Sequence, residues 1–398
     1  MNICLIVDDY LPQSTKAGAK MMHELAQQFA LMGHSVSVVT PSATLKKRLE
    51  ISELDGITVL RFRSGELKNV SKVKRAVNET MLSHTAWKSL KRYFSDNHHE
   101  LIVYYSPTIF WGILVRKLKK LWSAKSYLVL RDFFPQWAID SGLLKENSPI
   151  TGYFRFFEQI NYTVADKIAL QSQENLNWFA KKNGKGAPLE ILYNWSGDAP
   201  TVACVGNYRK ALGLEDKVVY FYGGNIGHAQ DMMNIVRLAK ALINEKHAHF
   251  VLVGSGDEFE LVQRTISEGK LSNMTLLNAV TQDEYKMMLA EFDIGLFSLH
   301  KNHVTHNFPG KLLGYMREGK PILGSINPGN DVRGIFESEG AGLITINGDD
   351  KDFYENAVKL LCDESLRKCV GIKANKLLHQ KFSVGAAAQK ILASSATL

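Results

Sequence analysis

The chain has 398 residues, 45% hydrophobic and 22% charged, with 48 Lys+Arg against 40 Asp+Glu and a formal net charge of +8. These proportions argue against a disordered, collagen-like or coiled-coil chain, and the length suits two or three domains with cores of their own. Four scattered cysteines (Cys4, Cys204, Cys362, Cys369) without a CxxC pair argue against a disulfide scaffold or a cysteine-based zinc site, and they fit a reducing compartment.

The start, MNICLIVDDY, makes a poor secretory signal, because acidic residues follow a short apolar run that no basic segment precedes. No uninterrupted apolar run approaches the roughly 18 residues of a spanning helix. The expected location is the cytoplasm. Residues 3–7 (ICLIV) predict a short buried strand, and the polar segment DDYLPQSTKAG follows. Met21, Met22, Leu25, Phe29 and Met32 then recur at helical spacing, and Gly33 stops that helix. SVSVVT (35–40) is the next strand, so the unit implies parallel pairing through a right-handed crossover. Further strands are expected at 57–62, 101–105, 126–132, 166–172 and 189–194, with a basic helical stretch around 70–95. The polar NWSGDAP then begins a break near 195–215.

A second series follows, with strands expected at 217–224, 249–256, 274–278, 293–298, 321–325 and 342–347. Helical sequence separates them, including about 230–245, and the tail from Asp352 reads as helical. The predicted class is α/β, two Rossmann-like parallel-sheet domains: 1–195, and 205–380 followed by a terminal helix at about 380–398. Open parallel sheets bind ligands outside the carboxyl ends of their strands, so the expected site is a cleft that the two domains face. No strand leads through GxGxxG into a helix, and GxxxxGK[ST] is absent, which disfavours dinucleotide-dehydrogenase and P-loop readings.

The charge is unevenly spread. Residues 1–190 hold 26 Lys+Arg and 17 Asp+Glu, a balance of +9, and the remainder balances at −1. Residues 44–125 alone hold 17 basic and 7 acidic side chains, or +10. Such a field suits either an anionic partner or a solvated face. Within it lies TIFWGILVRKLKKLW (108–122), where Trp111 and Trp122 bracket Arg116, Lys117, Lys119 and Lys120. The segment is expected to lie on an anionic membrane surface; the alternative is a helix packed on the sheet with snorkelling lysines. No nucleic-acid-binding motif accompanies the charge.

GAKMMHELAQQFALMGHSVSVVT, FYGGNIG (221–227), VLVGSGDE (251–258) and FPGKLLGYMREGKPIL (308–323) resemble, in order and spacing, glycosyltransferase family 4 of the GT-B fold. RDFFPQWAIDSG (131–142), GNIGHAQDM (224–232) and NFPGKLLGYMREGKP further resemble the L-fucosamine (N-acetyl-L-fucosamine) transferases of bacterial O-antigen synthesis. The resemblance implies a retaining, metal-independent transferase. Its UDP-sugar donor would sit on the C-terminal domain and its acceptor, a polyprenyl-diphosphate-linked glycan, on the N-terminal domain. The last helix would cross back to the N-terminal domain. The implied workplace is the cytoplasmic face of the inner membrane, with the enzyme bound peripherally.

Breaking a sugar–diphosphate bond requires stabilising the departing negative charge, by cations or backbone amides where no metal serves. Lys311, after Pro309 and Gly310 at a helix start, is the candidate cation; a surface lysine is the plain alternative. Gly224, Asn225 and Gly227 form a turn whose backbone a phosphate can approach closely. Gly254 is expected to border the nucleotide, and the resemblance gives Gly18 the matching part from the N-terminal domain. Asp132, ending a strand before the aromatic DFFPQW, is the candidate to accept or orient the acceptor hydroxyl. A loop cap or an ion pair with Arg131 is the alternative. Phe133, Phe134 and Trp137 suit a sugar-facing wall or a core.

No Asp-x-Asp metal motif stands out in a loop after a strand, and His303 with His306 lack an evident third ligand. Many family members carry two glutamates eight positions apart before a Gly-x-Pro element. Here His306 and Gly314 hold those places, and His306 is retained as a donor contact. The departure leaves two other readings open, a nucleotide-sugar epimerase or hydrolase and a non-catalytic GT-B subunit.

Overall fold

Short apolar runs become the strands of two sheets. The computed structural model describes residues 1–397 apart from 15, 68–69, 185, 198–207 and 303–307. The chain divides into two units, Met1–Ser196 with Val384–Leu398, and Gly197–Ser383.

The first unit runs β1 (Asn2–Ile6), α1 (Ala17–Leu31), β2 (Ser35–Ser42), β3 (Leu49–Leu54), β4 (Ile57–Arg63), α2 (Lys72–Thr80), α3 (Leu82–Asp96) and β5 (Leu101–Ser106). It continues through α4 (Gly112–Trp122), β6 (Lys125–Leu130), α5 (Gln136–Asp140), α6 (Pro149–Thr163), β7 (Lys167–Leu170), α7 (Gln173–Asn183) and β8 (Leu189–Ile191). The sheet order is β3-β4-β2-β1-β5-β6-β7-β8. All pairs are parallel except β3 with β4.

Strand alternation sends Ile3 and Leu5 to one face and Cys4 and Ile6 to the other, and all four are fully buried. The first face packs on Met22, Leu25 and Phe29 of α1. The second packs on Leu90 and Phe94 of α3 and Leu114 and Leu118 of α4. β3 is the one strand the sequence reading omits. Its LEISEL is mostly exposed and shows no apolar run. The signal is the turn that follows: Asp55 and Gly56 both have positive φ (49° and 77°), the Asp-Gly hairpin geometry.

The second unit runs α8 (Tyr208–Ala211), β9 (Val218–Asn225), α9 (Met232–Ala241), β10 (Ala248–Ser255), α10 (Phe259–Glu268), β11 (Met274–Asn278) and α11 (Gln282–Glu291). Then come β12 (Ile294–Ser298), α12 (Lys311–Arg317), β13 (Ile322–Ile326), α13 (Val332–Glu339), β14 (Gly342–Ile346), α14 (Asp350–Cys362) and α15 (Glu364–Leu377). Its all-parallel sheet has the order β11-β10-β9-β12-β13-β14.

The final helix, α16 (Val384–Ala396), belongs to the first unit. Its Ala387, Ala388 and Ile391 bury beside α1. The Val384 amide donates to Ser196 O at 3.0 Å, and Ser394 donates to the Glu190 carboxylate at 2.7 Å. In each sheet the central strand sends its successor to one side while a later strand pairs on the other. This places a crevice at the carboxyl ends of β1 and β5, and another at those of β9 and β12.

Candidate functional site

In the second unit, β9 ends in Gly223-Gly224-Asn225 and α12 begins with Lys311, on either side of the crevice. Gly224 takes φ +132°, and a Cβ there would lie 3.5 Å from Lys311 Nζ. The ammonium rests on the face of Tyr222, 3.4 Å from the ring centroid. Burial pulls its pKa well below the ordinary lysine range, and among the described residues no carboxylate pairs with it. The Tyr222 hydroxyl donates to Asn225 O, and Asn225 Nδ2 donates to Gln230 Oε1 at 2.6 Å. A cationic group thus sits against a glycine whose missing side chain leaves the backbone open.

The neighbouring turn holds this loop in place. Gly254 pairs in register with Gly224, and a Cβ on Gly254 would collide with Gly224 O. The Ile226 amide donates to Ser255 O at 2.9 Å, and the Glu258 amide returns to Ile226 O at 3.0 Å. Gly254 therefore acts through close backbone packing. Gly227 begins the short turn that leads to α9. The start of α12 differs from expectation. The amides of Leu312 and Leu313 close tight turns on Pro309 O and Gly310 O, so this end offers a charge rather than a row of outward amides. His306 lies outside the described residues, as does His303. A cavity of about 870 Å³ lined by Arg209, Lys217, Glu291, Asp293 and Lys320 lies at the opposite, amino ends of the strands.

In the first unit, Gly18 occupies the first turn of α1, where a Cβ would stand 3.1 Å from Tyr105 Oη at the end of β5. Burial raises the Tyr105 pKa; Arg131 lowers it and Asp8 and Asp132 raise it, so all four groups share one neighbourhood. The Asp132 amide donates to Ser106 O at 3.3 Å, tying the residue to the end of β5. Desolvation lifts the Asp132 carboxyl above the usual carboxylate range. The Arg131 guanidinium donates to Leu192 O at 2.8 Å and lies over the Trp195 ring, and burial lowers its pKa to about 10. Gly18, Tyr105, Asp8 and Asp132 thus gather at the carboxyl ends of β1, β5 and β6.

The segment 108–122 requires a correction. Trp111 and Trp122 are core residues, with Trp122 Nε1 donating to Phe94 O at 2.8 Å. The apolar stripe of α4 turns inward, where Leu114, Val115 and Leu118 share one core with Ile102, Tyr104 and Leu128 of the sheet and Leu90 and Phe94 of α3. Trp111 therefore cannot reach a membrane. Lys119 donates to Asp166 and Val164 O, and Lys117 lies over Trp87 at 5.2 Å. Arg116 and Lys120 are exposed. Among the described residues, no three His, Cys, Asp or Glu side chains form a metal-binding group, and no helix is long and apolar enough to cross a membrane.

Residues 216–363, within the second unit, match the family described as Glycosyl transferases group 1. HepE from Anabaena, solved in complex with UDP, shares the fold with a TM-score of 0.64 over 100% of both chains at 14% identity. The fold is GT-B. A protein named as a glycosyltransferase, WbjE of Pseudomonas aeruginosa, is 22% identical over 262 residues, and that match spans 65% of each chain. One named as a colanic acid biosynthesis glycosyl transferase, WcaI of Escherichia coli K12, is 25% identical over 342 residues, covering 80% of this chain and 82% of that protein. Together these matches support a glycosyltransferase of GT-B type.

Two residues at these GT-B crevices escape the sequence reading. Tyr222 reads as one more apolar position in YFYGG, and Tyr105 as the end of LIVYY. The signal in both cases is position, since each lies in the carboxyl-terminal half of a central strand, Tyr105 one residue and Tyr222 three residues before its end. Gly314, where the resemblance leads to the expectation of a glutamate, sits on α12, and a Cβ there would stand 3.4 Å from Leu289.

Proposed function

We propose that this chain is a retaining, metal-independent glycosyltransferase that moves a sugar from a UDP-sugar to a lipid-linked oligosaccharide. The sugar we infer is N-acetyl-L-fucosamine, and the setting is bacterial O-antigen or surface-polysaccharide synthesis at the cytoplasmic face of the inner membrane. The observation that carries this reading is the Lys311 ammonium beside Gly224 at the carboxyl end of β9. A desolvated cation at an open glycine suits a diphosphate, whose charge grows as the bond to the anomeric carbon breaks. UDP in the HepE structure supports a nucleotide donor. The WcaI match supports a polysaccharide-building role.

Each unit supplies its own part. Gly224, Asn225 and Gly227, with Lys311, hold the donor phosphates. Asp132, with its raised carboxyl pKa, orients the acceptor hydroxyl, whose oxygen bonds to the anomeric carbon as the bond to UDP breaks and whose proton passes to the departing diphosphate. Tyr105 and Gly18 shape the approach.

The test is to incubate the protein with a panel of UDP-sugars and lipid-linked acceptors in EDTA, identifying products by mass spectrometry. A glycosylated lipid formed from one UDP-sugar is the expected result. Donor turnover without acceptor would replace the reading by an epimerase or hydrolase. Absence of UDP binding would refute it.

A further inference from the structure

The first unit carries an apolar face that neither its core nor the candidate site uses. Ile150, Tyr153 and Phe156 of α6, Val73 and Val77 of α2, and Met81 just beyond α2 are between 39% and 75% exposed. The three on α6 are spaced three apart and span an arc of about 120°. Those on and after α2 are spaced four apart, along one stripe. The hydroxyls of Thr80 and Tyr153 share a hydrogen bond, so the two stripes adjoin. Exposed Trp137 extends the face, its ring 5.9 Å from Phe134, which packs on Phe154 at 4.8 Å. Beneath lies a firm aromatic support of Phe110, Phe154 and Phe157. An ordinary surface helix turns polar residues outward. Here two neighbouring helices also turn large apolar side chains outward.

The surroundings are basic. Residues 68–92 contain seven Lys and Arg against Glu79 alone. Lys74 and Arg75 of α2 pair with Glu66 and Glu79. Beside Trp137 the charges are mixed: Arg155 and Lys182 both donate to Gln136, Glu158 pairs with Arg155, and Asp140 and Glu146 act on Lys182. A second copy docking through the α2 end would set its excess of lysine and arginine against the same excess, which disfavours self-association. Phe134, which joins Trp137 to Phe154, lies two residues along the chain from the candidate acceptor carboxylate Asp132.

We propose that this α2–α6 face docks on an anionic phospholipid bilayer. Its aromatic and aliphatic side chains enter the headgroup–acyl boundary while the surrounding lysines and arginines meet lipid phosphates. The inference deepens the lipid-linked-acceptor reading, on which it rests, by naming the surface that meets the acceptor's membrane, in place of the buried tryptophans of α4.

The test is co-sedimentation of the full chain with vesicles of phosphatidylglycerol and phosphatidylcholine, and with phosphatidylcholine alone. Thermal unfolding and UDP calorimetry on the same preparations report folding and the donor site. Wild type binds the anionic vesicles. Ile150→Glu/Phe156→Glu weakens that binding by about tenfold or more, and Val73→Ser/Val77→Ser by severalfold, through lost apolar burial. Both variants keep UDP binding and cooperative unfolding. Lys117→Glu/Lys120→Glu on α4 retains most vesicle binding. The proposal is overturned if the α6 and α2 variants sediment like wild type, if the α4 variant alone abolishes binding, or if the wild type proves a dimer that Phe156→Glu dissociates. Wild type that binds vesicles but no UDP would instead refute the donor reading.

Discussion

Lys311→Met separates the binding role of this lysine from any structural one. Methionine keeps an unbranched stem against Tyr222 but removes the ammonium. If the ammonium holds the donor diphosphate, its loss removes a charge-assisted contact in a desolvated site, worth about 2–4 kcal/mol. UDP affinity then falls by roughly 30- to 1,000-fold. The unliganded protein responds in the other direction. Burial lowers the folded-state pKa of Lys311 below the ordinary value of roughly 10.4. Between those two values the unfolded chain binds more protons, so wild-type stability rises with pH across that window, and the variant loses this rise. Against relief of the desolvated charge stands a lost cation–π contact of about 0.5–2 kcal/mol, so the variant is neutral or modestly stabilised at neutral pH. Calorimetric titration with UDP, and denaturant unfolding from neutral to alkaline pH, measure both effects. Affinity within about threefold of wild type, or a variant that unfolds as a cavity mutant does, at about 2 kcal/mol or more of cost, would refute the assignment.

Asp132→Asn should lower turnover by about a hundredfold or more while leaving the UDP dissociation constant unchanged, as expected of a group acting on the acceptor hydroxyl; single-turnover kinetics beside UDP calorimetry reads the split. Gly254→Ala should cost about 1–3 kcal/mol and weaken UDP binding with it, because the new methyl displaces the Gly224 carbonyl. Gly152→Ala on α6, where a Cβ meets nothing within 4 Å, should stabilise by about 0.5–1 kcal/mol in the same melts. Asp166 is desolvated, which raises its pKa, yet hydrogen bonds from Lys119 and Ser126 outweigh this and set the carboxyl below its ordinary value. Its stabilisation is present above the unfolded carboxylate range and is lost as pH falls through the folded value. Asp166→Asn should therefore flatten the acid limb of the stability curve and cost about 1–2 kcal/mol at neutral pH, measured by urea unfolding at several pH values.

The sequence by itself determined the two sheets. Strands buried on both faces of a parallel sheet must be near-continuous apolar runs, and ICLIV, LIVYY, HFVLV and IGLFS are legible without context. It also determined which glycines and which lysine end up together in the second unit, because the ends of central strands are where a parallel sheet leaves room for a ligand. The edge strand β3 was hidden because exposed strands carry no such run, although its Asp-Gly turn was in view. What only the tertiary structure decided was orientation. TIFWGILVRKLKKLW is equally a membrane helix or a core helix on paper, since periodicity gives an apolar stripe but not what covers it. The sheet covers α4, so Trp111 and Trp122 are core, whereas Ile150, Tyr153 and Phe156 stay between 39% and 61% exposed among the described residues. The same holds for Lys311. Its charge is written in the sequence, but its desolvation over Tyr222 exists only once β9 and α12 meet, and that is what turns a surface cation into a candidate diphosphate clamp.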